Sequence, residues 1–597
     1  MKSLLNILSE ELKGAFEKCG YNGEGVVVTF SNRPELCEYQ CNSALSLAKA
    51  YKCAPMVIAG AVCDCLKGST AVSEAVACAP GFINLKISPS FLASYVEQMR
   101  KSGCFGLEND SPKTIMIDYG GANVAKPLHI GHLRSAIIGE CIKRLGRMLG
   151  NTVISDVHLG DWGLQMGLII EELRDRKPEL VYFDENYEGE YPLEAPFTIS
   201  ELEDIYPAAS AKSKVDEVFA ERAHAATLRL QKKEKAYYAI WKHIMSVSLA
   251  DLKKNYANLL VSFDLWEGES DAEPYIADML DDFINRGIAY ESENALVVDV
   301  SMEGDKKELP PCIVRKSDGS ALYATSDLAT IIKRQKLYKP DRYIYVADKR
   351  QELHFTQVFR TARKAGLVPS DVRLDYLGFG TMNGKDGKPF KTRAGGVLRL
   401  EYLISDINKQ VYDRITAVSE EENQFKKKQE FSADEAEKIS KIIGLAAIKY
   451  GDLSNQAVKD YIFDIDKFAS FEGNTGPYIQ YTIVRINSIL ARGGFSDSDI
   501  AAFDIGGLDD EYTKAIGIKI SSFADVLKDS FEELAPHKIC QYIYSMCETF
   551  SGFYNNVRIL AEEDEDKKKN YLALIAYVRD ILVHSAYVLG FEVPDKM

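Results

Sequence analysis

The stretch from Thr114 to Met148 constrains the fold of this chain more than any other. Its first part, Thr114–Tyr119, is β-rich and reads as a strand. A turn of small residues follows, Gly120-Gly-Ala-Asn123. Ile130, Leu133, Ile137, Cys141, Leu145 and Met148 then recur at helical spacing. Strand, turn and long helix make the first half of a parallel βαβ unit, because parallel strands require a crossover. The turn delivers His129 and His132 to the helix N-terminus, on one side. Unpaired backbone N–H groups and the positive end of the helix dipole favour phosphate there. Two imidazoles add donors that can follow charge developing on a leaving group. Gly131 has no side chain, so a flat base can approach the backbone.

The rest of the chain is organised around this unit. The 597 residues suit roughly three or four domains. Residues 1–108 read as a separate α+β module, with strands at Val26–Phe30 and Phe82–Ile87 and helices over 42–66 and 91–101. Asn109-Asp-Ser-Pro112 reads as a linker. Residues 109–400 read as an α/β, doubly wound, Rossmann-type domain: strand 114–119, helix 130–149, strand 152–158 and helix 163–173, with further strands at Ala295–Val300, Cys312–Arg315 and Arg342–Val346. An acidic, Pro-containing segment near 175–262 interrupts it as a helical insertion. From 401 to 597 the pattern is all-α, ending in a helix bundle with the apolar stripe Ile539, Ile543, Met546 and Phe550. Glu420–Glu430, with its lysine run at 426–428, reads as a loop or a frayed helix end.

Composition narrows the function. The net charge of −16 excludes a polybasic mode of coating nucleic acid, though an acidic protein can carry a local basic groove. The amphipathic start, Met1 to Phe16, lacks a signal peptide's continuous apolar stretch, and no apolar run approaches a membrane span, so a cytoplasmic protein is expected. Close cysteine pairs such as Cys37/Cys41 and Cys63/Cys65 lack zinc or redox spacing. Buried, reduced thiols are the expected state of the twelve cysteines. No coiled-coil heptad is visible, so a monomer is expected.

The His129-Ile-Gly-His132 element resembles the HIGH signature of class I aminoacyl-tRNA synthetases. Other nucleotidyl transferases share it, so the four residues alone choose no enzyme. A second stretch, Phe379 to Gly396, is rich in glycine and carries Lys385, Lys388, Lys391 and Arg393. Within it Pro389-Phe-Lys-Thr-Arg393 stands in the register of the class I K-M-S-K-S loop, with Thr392 where the second lysine normally is. Arginyl-tRNA synthetases commonly lack that lysine and carry one before the HIGH element, as Lys126 does here. Gly160-Asp-Trp-Gly-Leu-Gln-Met-Gly167, Tyr323-Ala-Thr-Ser-Asp-Leu328, Gln351-Glu-Leu-His-Phe-Thr-Gln357, Lys449-Tyr-Gly-Asp-Leu-Ser454, Phe471 to Tyr481 and Phe550-Ser-Gly-Phe-Tyr554 resemble further elements of that family. So does Ala79 to Ile87 at the end of the N-terminal module. The chain resembles arginyl-tRNA synthetases over most of its length.

The resemblance implies an arginine–tRNA ligase activity with ATP as substrate. His129, His132, Lys126, Lys391 and Arg393 would act in catalysis. Ala122, Asn123, Pro127, His129, Gly131, His132 and Lys388 would hold ATP. A substrate guanidinium is planar, permanently charged and best held by carboxylates in a fork. Asp118, Asn123, Tyr323, Asp327 and Gln351 match the family's arginine pocket, with the two aspartates as its acids. Mg2+ would enter with the ATP, with no dedicated metal site on the chain. The C-terminal bundle would read tRNA(Arg) through Tyr478, Tyr481, Arg485, Tyr544, Tyr554 and Arg558, although core packing explains any single tyrosine equally well. The N-terminal module would touch the tRNA elbow. No DNA or membrane partner is expected. The family usually requires tRNA before it activates arginine. The competing readings are another class I synthetase, a different H-x-G-H nucleotidyl transferase, and a non-catalytic tRNA-binding paralogue.

Overall fold

The computed structural model describes residues 1–109, 111–126, 128–317, 319–388, 399–416 and 431–597. The chain divides into two compact units. One comprises Met1–Asp110, Phe471–Tyr587 and Val593–Met597. The other comprises Ser111–Ser470 and Val588–Glu592. The helices Leu400–Thr416 and Ala433–Leu453 therefore group with the α/β sheet, and the N-terminal module groups with the C-terminal helices.

The larger unit is built on a four-stranded parallel sheet in the order Arg373–Phe379, Arg342–Asp348, Thr114–Asp118, Thr152–Asp156. The first two strands in the chain sit on one side and the later two on the other, so the order reverses between Thr114–Asp118 and Arg342–Asp348. That reversal is the switch point at which open α/β sheets bind ligands. The core strands are buried: Ile115, Met116 and Ile117 are at most 1% exposed. The insertion forms three long helices, Ile199–Lys212, Glu217–Gln231 and Lys235–Asn258. A three-stranded antiparallel sheet, Tyr290–Ser292, Ala295–Val298 and Cys312–Arg315, precedes the helix Tyr323–Tyr338.

The smaller unit joins an antiparallel sheet, in the order Val28–Phe30, Tyr39–Cys41, Phe82–Ile87, Val72–Cys78, to a bundle of C-terminal helices. Lys514 Nζ reaches Glu38 Oε1 at 2.6 Å, and Arg100 donates to the carbonyls of Ala501 and Phe503 at 2.9 and 2.6 Å. Phe105 stacks on Tyr577 and meets Phe523 edge-on. The helix Glu565–Leu589 is long and apolar enough to match a membrane span, contrary to the sequence reading. In the bundle 72% of its most apolar window is buried, which accounts for that composition.

Several local expectations change. The predicted helix over 42–66 is two helices, Ser43–Tyr51 and Pro55–Cys65, bent by 117° at the break. Pro55 disfavours helical backbone at Ala54 and lacks the N–H that would continue the first helix. Val72–Cys78 and Arg373–Phe379 are strands that the sequence reading missed. The cysteines are not uniformly buried: Cys37, Cys41, Cys141, Cys312, Cys540 and Cys547 are, whereas Cys65 is exposed. Glu420–Glu430 lies outside the described residues.

Candidate active site

The histidine corner is built by the start of helix Ile130–Met148. His129 is its N-cap. Its Nδ1 accepts the Gly131 N–H at 3.0 Å, and His132 Nδ1 accepts the His129 N–H at 3.1 Å. The two rings lie 3.9 Å apart between centroids. Burial, with Lys126 nearby, lowers the His129 pKa, and burial with His129 and Lys126 brings His132 down to about 3. Both imidazoles are therefore neutral near pH 7. Because each Nδ1 accepts a backbone N–H, each ring carries its proton on Nε2. Two Nε2–H donors thus stand beside the helix N-terminus, ready for an anion.

The helix is pinned across the switch point. Ser135 Oγ accepts the Gly120 N–H at 2.8 Å and donates to the Val346 carbonyl at 2.8 Å. Gly139 lets the Tyr119 ring cross, since a Cβ there would lie 2.1 Å from the ring. Arg134, 2% exposed, ties the helix to Asp452 through Nε at 2.8 Å and to the Gly380 carbonyl through Nη1 at 2.7 Å. The Lys449-Tyr-Gly-Asp452 element thereby acquires a structural role. Asp452 grips Arg134, Gly451 packs against Phe468, and Lys449 donates to the Gly590 carbonyl at 2.6 Å. Burial lowers the Lys449 amine to about 7.

The basic loop starts and ends against this corner. Gly380 is held by Arg134, and Met382–Asn383 pairs with Tyr461–Ile462. Past the undescribed residues, Arg399 bridges to His129 and the Leu400 N–H meets the Leu128 carbonyl at 3.1 Å. Lys385 is engaged by Asp464 and Asp466 at 3.1 and 2.9 Å, and Lys388 is exposed. Lys391, Arg393 and Pro127 lie outside the described residues.

A cleft of about 460 Å³ opens beside the corner, lined by Asn123, Lys126, Gly160, Gln165, Glu269 and Tyr323 among others. Gly160 matters for its shape: a Cβ there would lie 2.2 Å from Asn123 Oδ1. Gly167 lets helix Leu164–Arg176 approach Glu217–Gln231, where a Cβ would meet the Ala223 carbonyl at 2.1 Å. Ala122 is buried beneath the turn, and its carbonyl accepts the Gly160 N–H at 3.2 Å. Ala125 sits at φ +57°, a strained conformation for a residue with a Cβ. Lys126 lies over the Tyr206 ring, 4.2 Å from its centroid. Tyr323 opens helix Tyr323–Tyr338 and is 73% exposed. Gln351 ends a short 3-10 turn and is exposed.

The acids fall into two sets. Asp118 and Asp156, at the C-terminal ends of neighbouring strands, share the buried guanidinium of Arg334 at 2.7 and 2.6 Å. Burial opposes ionisation of Asp156, but Arg334 and His158 hold it below the usual carboxylate range. At Asp118 burial outweighs Arg334 and the carboxyl is raised. Asp118, Asp156 and His158 bring three potential ligand atoms within 4.8 Å of one another, yet Arg334 already supplies the cation there. The second set is Asp161, Glu269 and Asp327. Burial, against the opposing Ser270 hydrogen bonds, raises Asp161 to about 6. Burial and repulsion from Asp161 and Asp327 raise Glu269 to about 7, with His158 opposing. Asp327 meets His354 Nε2 at 2.6 Å and His158 Nε2 at 3.8 Å. Among the described residues no lysine or arginine lies within 4 Å of these three acids. Glu269, Arg334 and His158 escaped the sequence reading, and His354 appeared there only within the Gln351–Gln357 element, without a role. Arg334 left one signal, a cation three residues after Ile331 on the apolar face of a helix; Glu269 sits in an acidic stretch and left none.

The residues expected to touch tRNA lie in the smaller unit. Arg485 sits over the rings of Tyr481 and Tyr554, 4.6 and 5.3 Å from their centroids, and Tyr478 meets Tyr544 at 5.9 Å. Tyr554 and Arg558 are exposed.

Comparison with known proteins agrees with this architecture. Residues 96–465 match the family model described as the catalytic domain of class I tRNA synthetases (R), residues 2–87 the arginyl tRNA synthetase N terminal domain, and residues 479–597 the DALR anticodon binding domain. Proteins named arginine–tRNA ligase from Agathobacter rectalis and Alkaliphilus oremlandii are 54% and 52% identical, each over 100% of both chains. The solved arginyl-tRNA synthetase of Plasmodium falciparum superposes with a TM-score of 0.81 at 23% identity, covering 100% of both chains. That of Thermus thermophilus gives 0.74 at 19%, again over 100% of both. The chain belongs to the arginyl-tRNA synthetase family of class I.

Proposed function

We propose that this chain is an arginine–tRNA ligase, which joins L-arginine to ATP as arginyl-adenylate and passes the arginyl group to the 3′-terminal adenosine of tRNA(Arg). The observation that carries the reading is the second set of acids. Glu269 and Asp327 lack a lysine or arginine partner, and Glu269 opens into a cleft beside two neutral histidines and a helix N-terminus. A guanidinium entering the cleft supplies the missing cation. Glu269 and Asp327 hold its two arms, and Tyr323 closes over it. Asn123 and Gln351 receive the α-amino end. Asp118 orients the pocket floor through Arg334 and takes a smaller share of the substrate charge. Lysine fails as a substrate because one ammonium cannot fill both arms of the fork.

ATP lies over the switch point, between Gly131 and the Ala122–Asn123 turn, with Lys388, Lys391 and Arg393 contributing positive charge. The arginine carboxylate oxygen attacks the α-phosphorus, and the bond to the bridging oxygen breaks to release pyrophosphate. His129 and His132 donate from Nε2 to the phosphate charge, and Lys126 adds a positive charge; no covalent nucleophile is required. Mg2+ accompanies the ATP phosphates. The terminal adenosine hydroxyl then attacks the arginyl carbonyl, and AMP leaves. The Tyr481–Arg485–Tyr554 stack and the Tyr478–Tyr544 pair offer planar groups for tRNA bases.

The test is ATP–pyrophosphate exchange against all twenty amino acids, with and without total tRNA. Exchange with arginine alone, and only when tRNA is present, is the expected outcome. Exchange driven by another amino acid removes the acid pair from the role given to it here.

A further inference from the structure

The N-terminal module brings together two thiols that its sequence holds far apart. Cys19 caps the C-terminus of helix Leu4–Lys18, and Cys65 ends helix Pro55–Cys65. They are 46 positions apart, yet their Sγ atoms lie 2.7 Å from each other. The Cys19 thiol also donates to the Ala61 carbonyl at 3.3 Å, one turn before Cys65, which holds its sulfur against that helix. Cys65 is exposed and Cys19 partly so. Only a short approach separates this contact from an S–S bond of ~2.05 Å.

We propose that Cys19 and Cys65 are a redox modification site, closing to a reversible disulfide when the protein meets a hydroperoxide. Cys65, as thiolate, attacks the terminal peroxide oxygen. The O–O bond breaks, an alcohol or water leaves, and Cys65 becomes a sulfenic acid. Cys19 then attacks that sulfur, the S–O bond breaks, the S–S bond forms and water leaves. Two thiols lose two electrons and two protons, and the hydroperoxide is reduced to alcohol and water. The order follows from exposure. Burial, with Cys65 and Asp64 beside it, raises the Cys19 thiol to about 11, so Cys19 keeps its proton while Cys65 meets the oxidant. The product staples the end of the first helix to the end of the third. A small-molecule thiol reverses it by exchange.

The experiment uses the full-length chain, treated with hydrogen peroxide, quenched with catalase, unfolded and alkylated with N-ethylmaleimide. Intact mass then counts the free thiols, and non-reducing peptide mapping locates any bridge. The account expects two of the twelve cysteines to be lost to alkylation, a Cys19–Cys65 peptide, and recovery with dithiothreitol. Cys65→Ser abolishes the bridge, and Cys19→Ser accumulates a dimedone-reactive sulfenic acid at Cys65. Twelve alkylated cysteines after peroxide, or a bridge joining Cys65 to Cys63 or Cys53 instead, overturns the proposal.

Discussion

Two sets of buried or half-buried acids, a floor set and a wall set of which Glu269 lines the cleft, are treated by the protein in opposite ways. On the floor, Asp118 and Asp156 converge on the guanidinium of Arg334, which the fold carries in on helix Tyr323–Tyr338. On the wall, Glu269, Asp161 and Asp327 have serine hydroxyls and imidazoles for neighbours, and both Glu269 and Asp161 are pushed toward neutrality. A carboxylate with a built-in cation holds strands together. One without a lysine or arginine partner is pushed toward its uncharged form until a ligand cation favours ionisation, which is a functional signature. Asp118 lies on the boundary, 15% exposed and still raised despite its partner.

The comparison can be broken most directly at Arg334. Arg334→Met leaves two acids unpaired in the floor and should cost about 3–5 kcal/mol of stability, read from urea unfolding. Glu269→Gln should do the reverse. Removing a strained acid leaves the melting temperature unchanged or raises it, while kcat/KM for arginine falls by about 10²–10³-fold in exchange assays. If both variants lose stability alike, floor and wall do not differ in kind. Gly160→Ala puts a Cβ 2.2 Å from Asn123 Oδ1, so that side chain must move; the change should cost about 1–3 kcal/mol, with a raised KM for arginine.

The histidine corner sharpens the contrast through pH. His132 is held at about 3 in the fold, below its unfolded value of ~6.5. A group whose folded pKa is depressed contributes stability that is fully present above the unfolded value. That stability is lost as pH falls through the window from about 6.5 toward about 3. His132→Asn should flatten the dependence of the urea midpoint on pH between 7 and 5, and lower exchange activity. The smallest effect belongs to Lys385, whose amine is already taken by Asp464 and Asp466. Lys385→Ala should leave the melting temperature and the KM for arginine unchanged, and a large change in either would give that lysine a part it lacks here.

The histidine corner was legible in the sequence because its geometry is local. A strand, a turn and a helix fix where His129, Gly131 and His132 stand, and a few neighbouring backbone groups set their tautomers. The wall was legible only in part: Asp327 was named through its motif, but Glu269 was not, because the two come from separate helices and are brought near each other only by the tertiary fold. The same holds for Arg334, whose partners lie on two strands. Arg373–Phe379 escaped notice as an edge strand whose residues from Arg373 to Tyr376 are only partly buried or exposed, so it lacks the apolar run of its neighbours. The break before Pro55 carried a local signal, which the continuous apolar pattern over 42–66 obscured.

The most direct test of the central claim compares L-arginine with L-citrulline, its uncharged near-isostere, in tRNA-supported pyrophosphate exchange by the wild-type chain and Glu269→Gln. The account predicts exchange with arginine only in the wild type, and loss of it in the variant with ATP binding retained. Comparable exchange with citrulline, or undiminished arginine exchange by Glu269→Gln, would contradict a wall that waits for a guanidinium.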